Sequence, residues 1–196
     1  MAVYRAVLWL LVAVLAGTLS WTAFSWYNGT AGREAPFGVP FSLVDQNGNT
    51  ITQAAFRGRP TALFFGYTHC PDVCPTTLFE LNGWLHKADP TGTKIGAYFV
   101  TVDPERDTPA LLKQYISNVS DRIVGISGPP EAVHAMVKGF HIYSRKVPLH
   151  DGTPGDYSMD HTASVFLLDA KGRFRSTIAF GENAETAVKK LQNIIN

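Results

Sequence analysis

Two short apolar runs, "TALFFGY" (Thr61 to Tyr67) and "KIGAYFVTV" (Lys94 to Val102), constrain the fold more than any other feature of this chain. Apolar runs of this length, each stopped by a polar loop, read as strands covered on both faces. Each is followed by a helical pattern. Pro75 opens the first helix, where a missing N–H costs little, and Leu78, Leu81, Trp84 and Leu85 follow at helical spacing. Pro109 opens the second, with Leu111, Leu112, Tyr115 and Ile116 on one face.

The pattern continues with a third strand, "RIVGIS", and a third helix, "PPEAVHAMVKGF". Before it, "FSLVDQNGNTIT" reads as a hairpin around Asn47-Gly48. After it, His141 to Asp160 reads as a long polar loop. "TASVFLLD" and "GRFRSTIAF" form a second hairpin, and Asn183 to Ile195 a last helix. Alternating strands and helices imply a partly parallel sheet covered on both faces. With the closing hairpin and helix, this predicts a thioredoxin-like α/β domain with an added N-terminal β-hairpin.

The N-terminus belongs to a different environment. No charged residue occurs from Ala6 to Gly32, a mostly apolar run long enough for one transmembrane helix. Trp21, Trp26 and Tyr27 stand at its far end, where aromatic rings favour a membrane interface. Arg5 ahead of it predicts a cytoplasmic N-terminus and a domain on the other side, in a periplasm or intermembrane space. A cleaved signal peptide would need a shorter core and a small-x-small site; "AGT" at Ala16 to Thr18 is a poor one. The expected organisation is residues 1–32 as anchor and start of tether, 33–40 as a Gly/Pro-rich linker and 41–196 as the domain. Net charge is +1, with no Lys/Arg run, which argues against a nucleic-acid partner and marks no docking face.

The chain's two cysteines, Cys70 and Cys74, fall in "YTHCPDVCPTT", between the first buried strand and its helix. A helix N-terminus stabilises a thiolate, making it nucleophile and ligand alike. A structural disulfide closing so short a loop gains little chain entropy. A redox pair and two thirds of a metal site both fit. Three intervening residues make a wider loop than the two usual in thioredoxin-like oxidoreductases, and it suits two thiolates converging on one ion.

A metal needs a further ligand from six histidines. His86 and His134 lie in helices, His141 and His150 in the polar loop, and His69 abuts Cys70 facing away. His161, in "SMDHTASVFLLD", precedes a strand expected beside the cysteine loop; ligand and hydrogen-bonded strand-start residue both fit that position. Two thiolates and an imidazole form a soft set suited to copper. Zinc would want a fourth ligand, for which Asp72 or Asp160 is available.

"FFGYTHCPDVCPTTL", "VTVDPERDTP" and "DHTASVFLLD", in this order and spacing, resemble the Sco/SenC family of membrane-anchored, thioredoxin-like copper proteins of cytochrome c oxidase assembly. The resemblance runs from about Phe41 to the C-terminus. It implies that Cys70, Cys74 and His161 are copper ligands, carrying Cu(I), Cu(II) or both, and that Cys70 and Cys74 are redox-active. It implies a metallochaperone rather than an enzyme, delivering copper to the binuclear centre of oxidase subunit II or a similar acceptor and served by an upstream copper donor or thiol reductant. The alternative within the family is a thiol–disulfide reductase that keeps that centre's cysteines reduced. Asp160 is expected behind His161 as an orienting acceptor, and Asp103 as a strand-terminal turn residue with no direct chemistry.

Overall fold

Strands β3 (Thr61–Gly66) and β4 (Gly96–Thr101) are buried at every residue and pair in parallel, Thr61 opposite Gly96 and Gly66 opposite Thr101. They are the two apolar runs, and they form the centre of the sheet. The computed structural model of the protein describes residues 2–31, 35–149 and 156–195. They fall into two units, Met1–Ala35 and Pro36–Asn196.

The first unit is one helix, α1 (Ala2–Ala31), with exposed side chains through Trp26. Its stretch Ala2–Trp26 is long and apolar enough to cross a membrane. Three of its hydroxyls turn inward: Thr18 donates to the Leu15 carbonyl at 2.9 Å, Thr22 to that of Leu19 at 2.9 Å and Ser25 to that of Thr22 at 3.0 Å. A hydroxyl bonded to its own helix needs no partner from its surroundings.

The second unit holds a seven-stranded sheet in the order β2-β1-β5-β4-β3-β8-β9. β1 (Ser42–Asp45) and β2 (Thr50–Thr52) form the expected hairpin. Asp45 Oδ1 accepts from the backbone N–H of Asn47 and Asn49, and Gly48 supplies φ +84°. β5 (Ile123–Ser127) runs parallel to β4 and antiparallel to β1. β8 (Ser164–Leu168) pairs antiparallel to β3, and β9 (Phe174–Ala179), antiparallel to β8, closes the other edge. The helices are α2 (Val73–Ala88), α3 (Pro109–Ser117), α4 (Pro130–Gly139) and α5 (Ala184–Ile195). α5 packs on α2 and α3 on β5. This is the thioredoxin-like α/β fold, with the N-terminal hairpin added at one edge.

Aromatic rings fill the core between Phe37, Phe41, Phe56 and Phe140, with centroids 5.3–6.2 Å apart where they pair. Phe56 and Phe140 are fully buried, each contributing about 2–3 kcal/mol by leaving water.

The stretch expected to be one polar loop, His141 to Asp160, differs. β6 (Ser144–Pro148) and β7 (Tyr157–His161) form a separate antiparallel pair with Ser144 opposite His161 and Pro148 opposite Tyr157. Neither strand has the apolar alternation that marks a buried face; their pairing makes them strands. Residues 150–155, including His150, lie outside the described residues.

Candidate metal centre

The site is built at the carboxyl end of β3, the end of an open α/β sheet where sites form. β3 ends at Gly66, and a methyl group there would stand 2.8 Å from Cys74 Sγ and 2.7 Å from the Phe99 ring. Only glycine lets that sulfur pack against the strand. The chain then turns, the Cys70 N–H reaching the Tyr67 carbonyl at 3.4 Å, and enters α2 at Val73 with Asp72 as its capping residue.

Cys70 is half-buried and Cys74 fully buried; both are free thiols. The Cys74 backbone N–H, in the first turn of α2, points at Cys70 Sγ at 3.4 Å. His161 comes from the end of β7, its Nε2 3.4 Å from Cys74 Sγ. The two sulfurs and one imidazole nitrogen all lie within 4.8 Å of one another. Around a three-coordinate ion with bonds of about 2.3 Å to sulfur and 2.0 Å to nitrogen, donors stand roughly 3.7–4 Å apart. The observed set is therefore close to a closed coordination triangle.

Electrostatics divide the two sulfurs. A hydrogen bond from the Cys74 thiol holds the Cys70 pKa far below the ordinary thiol value; burial opposes this, while His161 and the backbone N–H groups of Cys74 and Asp72 add to it. Cys74 is pushed far up, first because it holds the proton shared with Cys70 and then because it is buried. The reduced pair is thus asymmetric, with Cys70 biased toward thiolate and the buried Cys74 toward thiol. An ion taking both sulfurs must displace that proton.

The His161 ring sits between aromatic walls. Tyr67 meets it edge-on at 5.8 Å and 89°, and Phe64 at 6.2 Å and 65°. Its Nδ1 lies 3.2 Å from the Thr162 carbonyl oxygen. With the proton on Nδ1 and donated there, the Nε2 lone pair faces the sulfurs.

Asp160 was expected in that orienting role and does not take it. Neighbours on a strand point to opposite faces, and Asp160 Oδ2 accepts from Arg145 Nη2 at 3.1 Å on the exposed side. A backbone carbonyl, which every residue type supplies, does the orienting. Neither Asp72 nor Asp160 joins the group, so among the described residues it has no fourth protein ligand of the kind a closed zinc site uses. His69, His86, His134 and His141 also stay outside it.

The "DPERD" segment after β4 braces both halves of the site. Asp107, fully buried, accepts from the Thr68 N–H at 3.1 Å, the Thr68 hydroxyl at 2.6 Å and the Thr101 hydroxyl at 2.6 Å. Burial lifts its pKa above the usual carboxylate value despite these donors. It fixes the loop two residues ahead of Cys70. Asp103, also buried, accepts from Arg106 Nε and from the Tyr157 hydroxyl, the latter at 2.7 Å. The Arg106 guanidinium stacks 3.7 Å over the Tyr157 ring and donates to the Tyr157 carbonyl at 2.9 Å. This clamp ties the end of β4 to the start of the strand that carries His161. Sequence reasoning missed Tyr67, Arg106, Asp107 and Tyr157. The Asp103/Arg106 spacing of three was the one visible hint, and nothing local marks Tyr157.

The SCO1/SenC family model matches residues 29–196. The chain is 33% identical over 159 residues to the mitochondrial protein SCO2 of Saccharomyces cerevisiae, covering 81% of this chain and 52% of that one. It spans about half the length of the mitochondrial relatives it matches. Bradyrhizobium japonicum ScoI, solved with copper bound, superimposes with a TM-score of 0.73 at 44% identity, over 81% of this chain and 99% of that one. Yeast Sco1 with copper bound gives a TM-score of 0.72 at 32% identity, over 81% and 88%.

Proposed function

Because this chain belongs to the SCO1/SenC family, we propose that it is a membrane-anchored copper carrier whose cargo is held by Cys70, Cys74 and His161. The observation that carries this reading is the convergence of two free thiols and one imidazole within 4.8 Å. Two sulfur donors and one nitrogen donor match the preference of Cu(I). Copper in the ScoI and Sco1 relatives supports the same cargo here.

Cys70 receives the ion first, being the thiolate and the more exposed sulfur. Cys74 then gives up its proton, and His161 closes the triangle. Release reverses this order. A three-coordinate site, open on the side of Cys70 and His161, lets an acceptor thiolate bond to copper before Cys70 lets go. The family resemblance makes that acceptor the binuclear copper centre of oxidase subunit II or a similar site. Residues 1–32 anchor the chain, 33–40 link it, and 41–196 carry the site in the periplasm or intermembrane space.

The asymmetry of the thiols favours a second reading, disulfide reduction. Cys70 thiolate attacks an acceptor disulfide, and Cys74, once deprotonated, attacks Cys70 Sγ to release the acceptor as dithiol and leave Cys70–Cys74 oxidised. One variant separates the readings, because electron exchange needs only sulfur. His161→Ala is expected to lower copper affinity at least about a hundredfold while moving the Cys70–Cys74 reduction potential by under about 30 mV. Copper titration and redox titration of the reduced protein check this. Unchanged copper affinity would hand the site to the reductase reading.

A further inference from the structure

The end of the domain opposite the cysteine loop collects positive charge from segments far apart in sequence. Pairing brings the starts of β3 and β4 together with the end of β8 and the start of β9. Gly58 N–H donates to the Ala170 carbonyl at 2.8 Å, and Gly96 N–H to that of Pro60 at 2.8 Å. Arg57, Arg59, Lys94, Lys171 and Arg175 stand on these turns and strand ends, all exposed. Among the described residues none of the five has a carboxylate partner; Arg57 reaches only Gln53 Oε1, at 3.4 Å.

The acids nearby are mostly committed. Asp89 is buried against Arg122, and Asp169 is bonded to Arg173. Asp121, beside Arg122, is an exposed carboxylate. At the other end, by contrast, Arg106, Arg145 and Lys146 are each paired with an acid.

The chain joins the domain at this same basic end. Phe37 N–H donates to the Gly172 carbonyl at 2.7 Å, between Lys171 and Arg173, and its ring packs 5.4 Å from half-exposed Phe174. From Trp26, the end of the apolar stretch, to Phe37 is about ten residues, which reach at most roughly 35 Å. A cationic surface with an apolar ring, leashed this close to a bilayer, is matched in charge and chemistry to anionic lipid headgroups.

We propose that the pole formed by Arg57, Arg59, Lys94, Lys171 and Arg175 docks on an anionic membrane surface, turning the Cys70–Cys74–His161 site away from the lipid. The proposal rests on the anchor reading of α1. β3 alone separates pole from site by about 17 Å, so docking holds the site clear of the headgroups and open to an acceptor.

The test uses the full chain in bilayer discs of neutral phosphatidylcholine and of phosphatidylcholine mixed with phosphatidylglycerol. Lysine acylation rates are read by mass spectrometry, with Lys113 and Lys146 as references. The anionic discs are expected to slow Lys94 and Lys171 about threefold or more relative to the references, and about 0.5 M salt, with its screening length of roughly 4 Å, to abolish the difference. The Arg57→Glu/Arg59→Glu/Arg175→Glu variant is expected to lose the slowing. Equal rates in the two discs, or equal slowing of all four lysines, would overturn the proposal. So would matching protection by soluble polyglutamate in neutral discs, which would assign the pole to an acidic protein. Failure to enter neutral discs at all removes the anchor reading, and the proposal with it, independently of lipid charge.

Discussion

Asp89 sits where α2 ends and carries more of the fold than its loop position suggests. It is fully buried and accepts from the N–H groups of Lys94 and Ile95, the Thr91 hydroxyl and Arg122 Nη2. Burial alone would raise its pKa, but these donors outweigh burial and hold it below the ordinary carboxylate value. A carboxylate depressed in the folded state lends stability that is complete above its unfolded pKa of about 4 and is lost as pH falls through the lower, folded value. Asp89→Asn is therefore expected to cost about 3 kcal/mol at pH 7, since it strands Arg122, and progressively less below about pH 4. Urea midpoints at pH 7 and near pH 3 measure the gap; an equal gap at both would refute the charge account. Of the proposed ligands, Cys70 and Cys74 were the most legible, being the chain's whole stock of thiols, whereas the position of His161 left its role open until the family resemblance was weighed. Asp160 misled because adjacency in sequence is opposition across a strand; it faces Arg145 instead of His161.

At the scale of elements, β7 decides how well the site is made. Two of the three proposed ligands ride on the rigid junction of β3 and α2, and His161 comes from a small two-stranded pair outside the main sheet. The Asp103–Arg106–Tyr157 clamp compensates for that weak support. Tyr157→Phe removes a hydroxyl donor to a buried carboxylate, a loss of about 1–2 kcal/mol. It is expected to weaken copper binding about three- to tenfold by loosening β7, with the Cys70–Cys74 potential unchanged. Copper titration of the variant alongside Asp103→Asn checks this; full affinity in both would show that β7 needs no clamp. The strands of the main sheet were legible because burial on both faces writes an apolar run. β6 and β7 were not, because a peripheral ribbon carries no such signature. Its partner strand, not its own composition, makes "SRKVP" extended.

Across the whole molecule, copper binding and stability are linked. A ligand that binds only the folded, reduced site stabilises it by about 4 kcal/mol at a thousandfold excess over Kd. Thermal unfolding of the reduced protein is therefore expected to shift upward on adding Cu(I). The same protein with Cys70–Cys74 oxidised is expected to shift little, since both sulfur donors are gone. Equal shifts in the two redox states would refute the proposed ligand set. The basic pole escaped the sequence for a related reason. Its five cations come from three separate stretches, none of them a run, and only strand pairing assembles them. Net charge averages over the whole chain and hides such polarity.

The unequal burial of the two sulfurs also sets how the site ages. A peroxide reaching the reduced protein is expected to meet Cys70 first, because Cys74 is out of contact with solvent. The sulfenic acid so formed has a thiol waiting beside it, and condensation expels water and leaves a disulfide before the irreversible sulfinic step. Injury at the exposed sulfur is thereby converted into a form that any dithiol reductant repairs. The hidden cysteine is thereby expected to shield the site from irreversible oxidation.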